Sequence, residues 1–262
     1  MALWESFSLC IILRSTHRLI AILVEAVGAN VNLSVRGILF DAGDTLYAPI
    51  GGRWNPRFDF EEVLLRYHPE VPVDRFAEAI AAGKRFMDTA PSTPPRDDYH
   101  RAILSELGIL EPSSDLLNDL NRPLDVPVVV VFPEVASVLA KLKEREIRMA
   151  IVSDNWGDLE QAFVDLGLRE FFDVFVVSEA MGCCKPDPRM YRAGSDGLGL
   201  APSECLFVDN DPDLVLAAIH LGYRGIAIDR YGSVRRPDVE WIENLTGLWP
   251  FLGGIAPKIR LP

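Results

Sequence analysis

The chain of 262 residues is poor in the residue types that build disulfide-rich and zinc-stabilised proteins. It contains four cysteines, and their spacing fits neither a disulfide framework nor a zinc site. The four histidines are scattered and form no His-Glu-x-x-His motif. These shortages exclude a small secreted scaffold and argue against a histidine-based metal site. They also favour a reducing compartment, so a cytoplasmic location is predicted.

Positive charge is also scarce. The 26 lysines and arginines are outnumbered by 38 acidic residues, which gives a net charge of −12. A nucleic-acid surface needs clustered basic side chains to offset phosphate charge, so no nucleic-acid partner is predicted. A small phosphorylated molecule is still a compatible partner, because one local basic group can outweigh the overall charge.

The N-terminal region has no uninterrupted apolar run. Residues 7–27 are largely apolar, but charged side chains and a histidine interrupt them before the roughly 20 residues needed to span a bilayer. Glu5 is the one charge among the first ten residues, whereas a secretory signal begins with positive charge. No membrane association is therefore predicted. Residues 1–33 are interpreted as an extension, either an added amphipathic helix or an over-long gene model whose true start lies near Val31 or Val35.

Beyond this extension, short apolar runs alternate with helical periodicity. The runs typical of buried strands are Val35–Phe40, Val128–Phe132, Ile147–Val152, Val174–Val177, Leu206–Val208 and Gly225–Ile228. The pairs Asp187-Pro188 and Asp211-Pro212 each have the pattern of a helix N-cap followed by proline at the first helical position. The alternation predicts an α/β fold with a doubly wound, mainly parallel sheet covered by helices on both faces.

Residues 50–125 break this alternation, because they show helical periods only, separated by proline-containing stretches. They are predicted to form a small all-helical cap domain. The α/β core then comprises residues 34–49 and 126–250, and residues 251–262 form a C-terminal tail. Because the insert leaves the sheet directly after the acidic turn of the first strand, it is expected above that end of the sheet, in the position of a lid.

Polar residues follow four of the predicted strands. Asp41 follows the first, Ser153 ends another, Lys185 lies in a later loop, and Asp209 and Asp213 follow the strand over 206–208. The carboxyl ends of parallel strands share one edge of the sheet, and open α/β sheets bind ligands at this edge. A shared site for these residues is therefore predicted.

This ordered set resembles the four motifs of the haloacid dehalogenase superfamily. Those motifs are a strand ending in Asp-x-Asp-Gly-Thr, a strand ending in Ser or Thr, a Lys usually followed by Pro, and a strand ending in an acidic pair. The resemblance covers about residues 35–228, and the strings over 185–191 and 207–212 make it specific. The helical insert is similar to the cap of the first subclass. The resemblance implies a Rossmann-like core and a hydrolase of phosphatase type.

The resemblance also implies a role for each residue. Asp41 is the expected nucleophile, which attacks phosphorus and forms an aspartyl phosphate. Lys185 is expected to stabilise charge on the transferred phosphoryl group, and Ser153 to donate hydrogen bonds to its oxygens.

Mg²⁺ is the implied cofactor, because it offsets the repulsion between the attacking carboxylate and the phosphate. The expected metal site comprises Asp41, the backbone carbonyl of Gly43, and Asp209. Asp213 is expected there too, orienting a metal-bound water rather than binding the ion directly, unless it serves only to stabilise a helix N-terminus.

Gly43 departs from the phosphatase pattern. Two residues after the nucleophile that pattern has a second Asp, which protonates the leaving oxygen and later activates water. Asp44 is the nearest replacement, but a shift of one residue points its side chain differently. General acid–base assistance contributes typically about 10²–10⁴-fold, so its loss is expected to slow the reaction.

Three functions are compatible with the sequence. The first is Mg²⁺-dependent removal of phosphate from a small metabolite by a monomer or homodimer. The second is 2-haloacid dehalogenation without a metal, in which Arg53 and Arg57 would bind a halide or a carboxylate. The third is a catalytically weak, haloacid dehalogenase-like binding protein. Side chains of the insert, Trp54 and Lys84 among them, are expected to select the substrate.

Overall fold

The computed structural model describes residues 35–232 and 235–252. The predicted extension 1–33 and residues 253–262 of the predicted tail lie outside the described residues. The strands are β1 Gly37–Phe40, β2 Tyr47–Pro49, β3 Val129–Val131, β4 Arg148–Ser153, β5 Val174–Val177, β6 Cys205–Asp209, β7 Arg224–Ile228 and β8 Trp241–Ile242.

Nine α-helices lie in the described part of the chain. They are α1 Phe60–Tyr67, α2 Phe76–Thr89, α3 Arg96–Glu106, α4 Ser114–Asn121, α5 Val135–Glu144, α6 Leu159–Asp165, α7 Ser178–Met181, α8 Pro188–Gly197 and α9 Pro212–His220. The two predicted N-caps are confirmed, because the carboxylate of Asp187 accepts the backbone N–H of Arg189, and that of Asp211 accepts the backbone N–H of Asp213. None of the described helices is long and apolar enough to cross a lipid bilayer.

Six strands form one parallel sheet in the order β5-β4-β1-β6-β7-β8. Alternate residues of β1 point to opposite faces of the sheet, because side chains along a strand alternate with a period of two residues. Ile38 and Phe40 pack in one hydrophobic cluster with α5, and Leu39 packs in the other with α8 and α9. The predicted α/β fold with a mainly parallel, doubly covered sheet is therefore confirmed.

The predicted strand Val128–Phe132 does not join this sheet. Its central residues form β3, which pairs antiparallel with β2 in a separate two-stranded ribbon, and Val130 is 55% exposed. The sequence interpretation was wrong on this point because an apolar run indicates β structure without identifying its partner strand. The short strand β8 was not predicted, since two residues are too few to show a period.

Helices α1 to α4, which we call the helical segment (residues 60–121), have a hydrophobic cluster of their own. Trp156, from the loop after β4, is buried in this cluster, and its indole N–H donates to the carbonyl of Pro94 at 2.8 Å. Arg96 at the start of α3 forms two hydrogen bonds of 2.7 Å with Asp158. The helical segment is thus joined to the loop that directly follows Ser153.

His100 on α3 lies inside the helical segment, with 6% of its surface exposed. Burial lowers its pKa from 6.5 to about 4, and the nearby Arg96 acts in the same direction. Between these two pH values the unfolded chain binds a proton that the folded chain does not. The free energy of unfolding should therefore fall as pH falls through this window, by about 3 kcal/mol at pH 4 from this residue alone.

We expect His100→Gln to remove this contribution. Urea unfolding between pH 7 and pH 4 should show a shallower loss of stability for the variant than for the unmodified protein. The matched control is His68→Gln, which alters a partly exposed histidine paired with Glu70. Parallel stability profiles for His100→Gln and the unmodified protein would contradict the prediction.

Candidate active site

Three neighbouring strands bring polar side chains to one edge of the sheet. Asp41 directly follows β1, Ser153 ends β4, and Asp209 ends β6, and both β4 and β6 pair with β1. The Asp41 N–H donates to the carbonyl of Val208 at 2.9 Å, which continues the β1–β6 ladder to the first residue of the acidic turn. The two carboxylates are therefore positioned by adjacent parallel strands.

Lys185 links these two carboxylates. Its Nζ lies 2.8 Å from Asp41 Oδ1 and 2.6 Å from Asp209 Oδ2. The side chains of Lys185 and Asp209 are 2% and 1% exposed, and that of Asp41 is 10% exposed. Burial by itself would lower the pKa of Lys185, but the charges of Asp209 and Asp41 outweigh it and raise that pKa. The two carboxylates thus favour the charged form of Lys185.

Asp209 has the least exposed side chain of this cluster. Burial raises its pKa above the ordinary range, while the charge of Lys185 opposes the shift and that of Asp41 adds to it. Its Oδ1 also accepts the backbone N–H of Asp211 at 2.9 Å. Both oxygens of Asp209 are thus held in fixed positions.

Asp154 is a further carboxylate at this edge, to which the sequence interpretation gave no role. Its Oδ1 accepts the backbone N–H of Lys185 at 2.9 Å, which ties the lysine loop to the end of β4. Desolvation by the surrounding protein raises the pKa of Asp154, and the charge of Lys185 opposes that shift. Its position next to Ser153 was the available signal, but a carboxylate after a strand is more often a turn residue.

The turn that follows Asp41 is supported by two residues that were also missed. The Thr45 hydroxyl lies 3.5 Å from Asp41 Oδ2. The buried guanidinium of Arg230 donates to the carbonyl of Thr45 and pairs with Glu134 at 2.7 Å. No sequence pattern connects Arg230 to this turn, because the two are 185 residues apart.

The indole of Trp54 covers Gly43. A Cβ atom placed on Gly43 would lie 2.9 Å from Cζ2 of that ring, so an aspartate at this position would require the indole to move. The Trp54 N–H donates to Asp44 Oδ2 at 2.6 Å, and the Tyr231 hydroxyl donates to Asp44 Oδ1 at 2.9 Å. Asp44 is therefore held by aromatic residues, with a backbone φ of 54°.

The remaining predicted site residues differ in their surroundings. Ser153 is 3% exposed at the end of β4, the strand that pairs with β1. Asp213 lies in the first turn of α9 with its side chain 72% exposed, and its carboxylate pairs with Arg236. The contacts of Asp213 are thus with a surface arginine and not with the Lys185 cluster.

The basic residues named above as possible substrate contacts form ion pairs within the protein. Arg53 makes two hydrogen bonds of 2.5 Å to Glu61, and Arg57 binds Asp59. Lys84 pairs with Asp88 one helical turn away. Their positive charges are largely balanced by neighbouring carboxylates.

The donor set at the strand ends suits a hard cation. Carboxylates of Asp41 and Asp209 and the backbone carbonyl of Gly43 are oxygen ligands of the kind that Mg²⁺ prefers, and water would complete its octahedron. Within residues 35–232 and 235–252, no group of three His, Cys, Asp or Glu side chains is placed to hold a metal ion. A metal ion at this site would therefore have the carboxylates of Asp41 and Asp209 as its side-chain ligands.

A cleft of about 520 Å³ opens between the helical segment and the loop after β4. It is lined on one side by Pro95, Arg96 and Asp97 and on the other by Trp156 and Asp158. Asp41 is not among its lining residues, so this cleft is distinct from the Lys185 cluster.

Comparison with known proteins gives a consistent result. A family model described as haloacid dehalogenase-like hydrolase matches residues 35–222. The chain is 27% identical over 172 residues to phosphatase MT3486 of Mycobacterium tuberculosis, an alignment that spans 65% of this chain and 76% of that protein. It is 30% identical over 134 residues to (S)-2-haloacid dehalogenase 4A of Burkholderia cepacia, spanning 48% and 57% of the two chains.

Solved structures agree at the level of the fold. The 2-haloacid dehalogenase of Pseudomonas syringae pv. Tomato DC3000 aligns with a TM-score of 0.61 and 22% identity, over 83% of this chain and 97% of that chain. At this identity the likeness concerns the fold alone. Relatives with phosphatase names and relatives with dehalogenase names both match the sequence.

Proposed function

Because the chain belongs to the haloacid dehalogenase-like hydrolase family, we propose that it removes phosphate from a small phosphorylated molecule with Mg²⁺ as cofactor. The observation that carries the proposal is the buried cluster of Asp41, Lys185 and Asp209. The two carboxyl groups outnumber the single ammonium and supply oxygen ligands of the kind that a divalent cation prefers. When bound, Mg²⁺ offsets the repulsion between the carboxylate of Asp41 and the anionic phosphate.

In the proposed reaction, a carboxylate oxygen of Asp41 forms a bond to phosphorus while the bond from phosphorus to the leaving oxygen breaks. Lys185 and Ser153 donate hydrogen bonds to the phosphoryl oxygens as negative charge shifts onto them. Water then attacks the aspartyl phosphate, which releases inorganic phosphate and restores Asp41. Thr45 and Arg230 hold the turn that carries the nucleophile.

The second candidate is metal-independent hydrolysis of a carbon–halogen bond, which the similarity to (S)-2-haloacid dehalogenase 4A favours. A 2-haloacid substrate carries a carboxylate, and a positively charged side chain is needed to bind that carboxylate. Arg53 and Arg57, the cations first expected to serve this purpose, are paired with Glu61 and Asp59. These pairs count against the second candidate. A protein that only binds a ligand is the third.

A substrate panel distinguishes the three. Acetyl phosphate, phenyl phosphate and 2-chloropropionate are each incubated with the protein in Mg²⁺ and, after metal removal, in EDTA. We expect release of phosphate in Mg²⁺, its loss in EDTA, and no release of chloride in either. Chloride release that persists in EDTA would establish the dehalogenase instead, and the absence of any turnover would favour the binding protein.

A further inference from the structure

The approach to Asp41 is restricted by the burial of its surroundings. Lys185 and Asp209 on one side are almost fully buried, so the organic part of a substrate cannot extend in their direction. In the turn itself, Ala42 and Thr45 have no exposed surface. Gly43 and the residue after it are the partly exposed members of the turn over 41–46. Within this turn, a substrate bound to Asp41 can extend outward past these two residues.

Trp54 contacts both of them. Its six-membered ring lies against Gly43, and its N–H donates to Asp44. The ring packs edge-on against Tyr47, with 5.7 Å between ring centroids, which holds it in place. Trp54 is nevertheless 36% exposed. A flat apolar surface therefore lies beside the partly exposed residues of the turn that follows Asp41.

Among the described residues of this turn, none offers a free proton donor to the leaving oxygen. Gly43 has no side chain, and both oxygens of Asp44 accept hydrogen bonds from Trp54 and Tyr231. A leaving group must then depart as an anion. Phenols, with a pKa of about 10, form anions far more readily than aliphatic alcohols, which are much weaker acids.

From these contacts, and resting on the phosphatase function proposed above, we infer that Trp54 is a specificity-determining residue that selects phosphate monoesters of aromatic alcohols. The leaving aromatic ring packs against the indole as Asp41 forms its bond to phosphorus. The bond between phosphorus and the aryl oxygen breaks, and its electron pair leaves with the phenolate, which takes a proton from water after release. No other reactant is needed.

Three substrates separate ring packing from leaving-group chemistry. Phenyl phosphate has a good leaving group and an aromatic ring, acetyl phosphate has a good leaving group without a ring, and ethyl phosphate has neither. With Mg²⁺, kcat for phenyl phosphate should exceed that for ethyl phosphate by at least about 10²-fold, because an acid that supplies the proton is worth about this much.

The variants Trp54→Leu and Trp54→Phe test the role of the ring. Trp54→Leu should raise the ratio of KM for phenyl phosphate to KM for acetyl phosphate about fivefold, which is the scale of one aromatic pair. Trp54→Phe keeps a ring but loses the hydrogen bond to Asp44, so it should retain most of the preference. Trp241→Leu is the matched control, since Trp241 is 37% exposed on the edge strand β8.

The outcomes are distinct. Equal changes for phenyl and acetyl phosphate in Trp54→Leu, or ethyl phosphate turned over as fast as phenyl phosphate, would overturn the inference and leave the phosphatase proposal intact. If Trp54→Leu does not fold, loss of the aryl preference in Trp54→Phe overturns it in the same way. Absence of acetyl phosphate turnover by the unmodified protein would overturn the proposed function and the inference with it.

Discussion

Asp41→Asn is expected to fold like the unmodified protein and to lose phosphatase turnover by at least about 10³-fold, the scale seen when a covalent nucleophile is removed. The amide has the shape of the carboxylate but cannot form the acyl phosphate that the proposed reaction requires. Folding should survive because the change leaves Lys185 paired with Asp209 at 2.6 Å. A buried ammonium with one remaining carboxylate is balanced in charge.

The experiment compares initial rates with acetyl phosphate in Mg²⁺, together with thermal unfolding of each protein. Asp173→Asn is the matched control, because it makes the same chemical change in an exposed ion pair with Arg148, at the opposite end of the strands from Asp41. Exposed ion pairs contribute roughly 0–1 kcal/mol to the free energy of unfolding. This control should therefore change neither the initial rate nor the unfolding temperature appreciably. Asp41→Asn activity above about a tenth of the unmodified rate would show that another group attacks phosphorus.

Lys185→Met is expected to lose both activity and stability. Without the ammonium, the carboxylates of Asp41 and Asp209 are left buried and uncompensated, which costs about 3–5 kcal/mol at neutral pH. The loss of positive charge at the transferred phosphoryl should lower kcat by about 10²–10³-fold. Added Mg²⁺ should recover part of the stability, because the ion neutralises the same two carboxylates, but should not recover kcat.

Asp209→Ala provides the contrasting case. It leaves Lys185 paired with Asp41 at 2.8 Å, so its loss of stability should be the smaller of the two. Its defect is expected to be weakened Mg²⁺ binding, and excess Mg²⁺ should partly restore its activity. Titrating Mg²⁺ against turnover and against unfolding in urea measures both effects. Equal rescue of activity in both variants, or in neither, would contradict the roles proposed for Lys185 and Asp209.

The α/β core could be predicted because its signals are local. A strand buried on both faces appears in the sequence as a short apolar run, and β1 and β4 to β7 all have this pattern. The proline-containing caps at Asp187 and Asp211 were visible for the same reason, since a cap involves residues only two positions apart. The order of polar groups at strand ends then indicated a shared site at the carboxyl edge of the sheet.

Local sequence patterns could not predict the partner strand of β3. An apolar run reports that a segment is extended and partly buried, while its partner strand depends on where the chain returns after the helical segment. The pairing of β3 with β2 is a contact between residues about 80 positions apart. Periodicity contains no information on contacts of that separation.

The sequence by itself determined the fold class, the order of the motifs and the identities of Asp41, Lys185 and Asp209 as candidates. Tertiary structure alone decided that Lys185 lies between two carboxylates, 144 and 24 residues away along the chain. It also decided that Trp54 covers Gly43 and that Arg230 holds Thr45. The physical reason is that local patterns record which face of an element is buried, whereas side-chain pairs between distant elements form only when those elements dock.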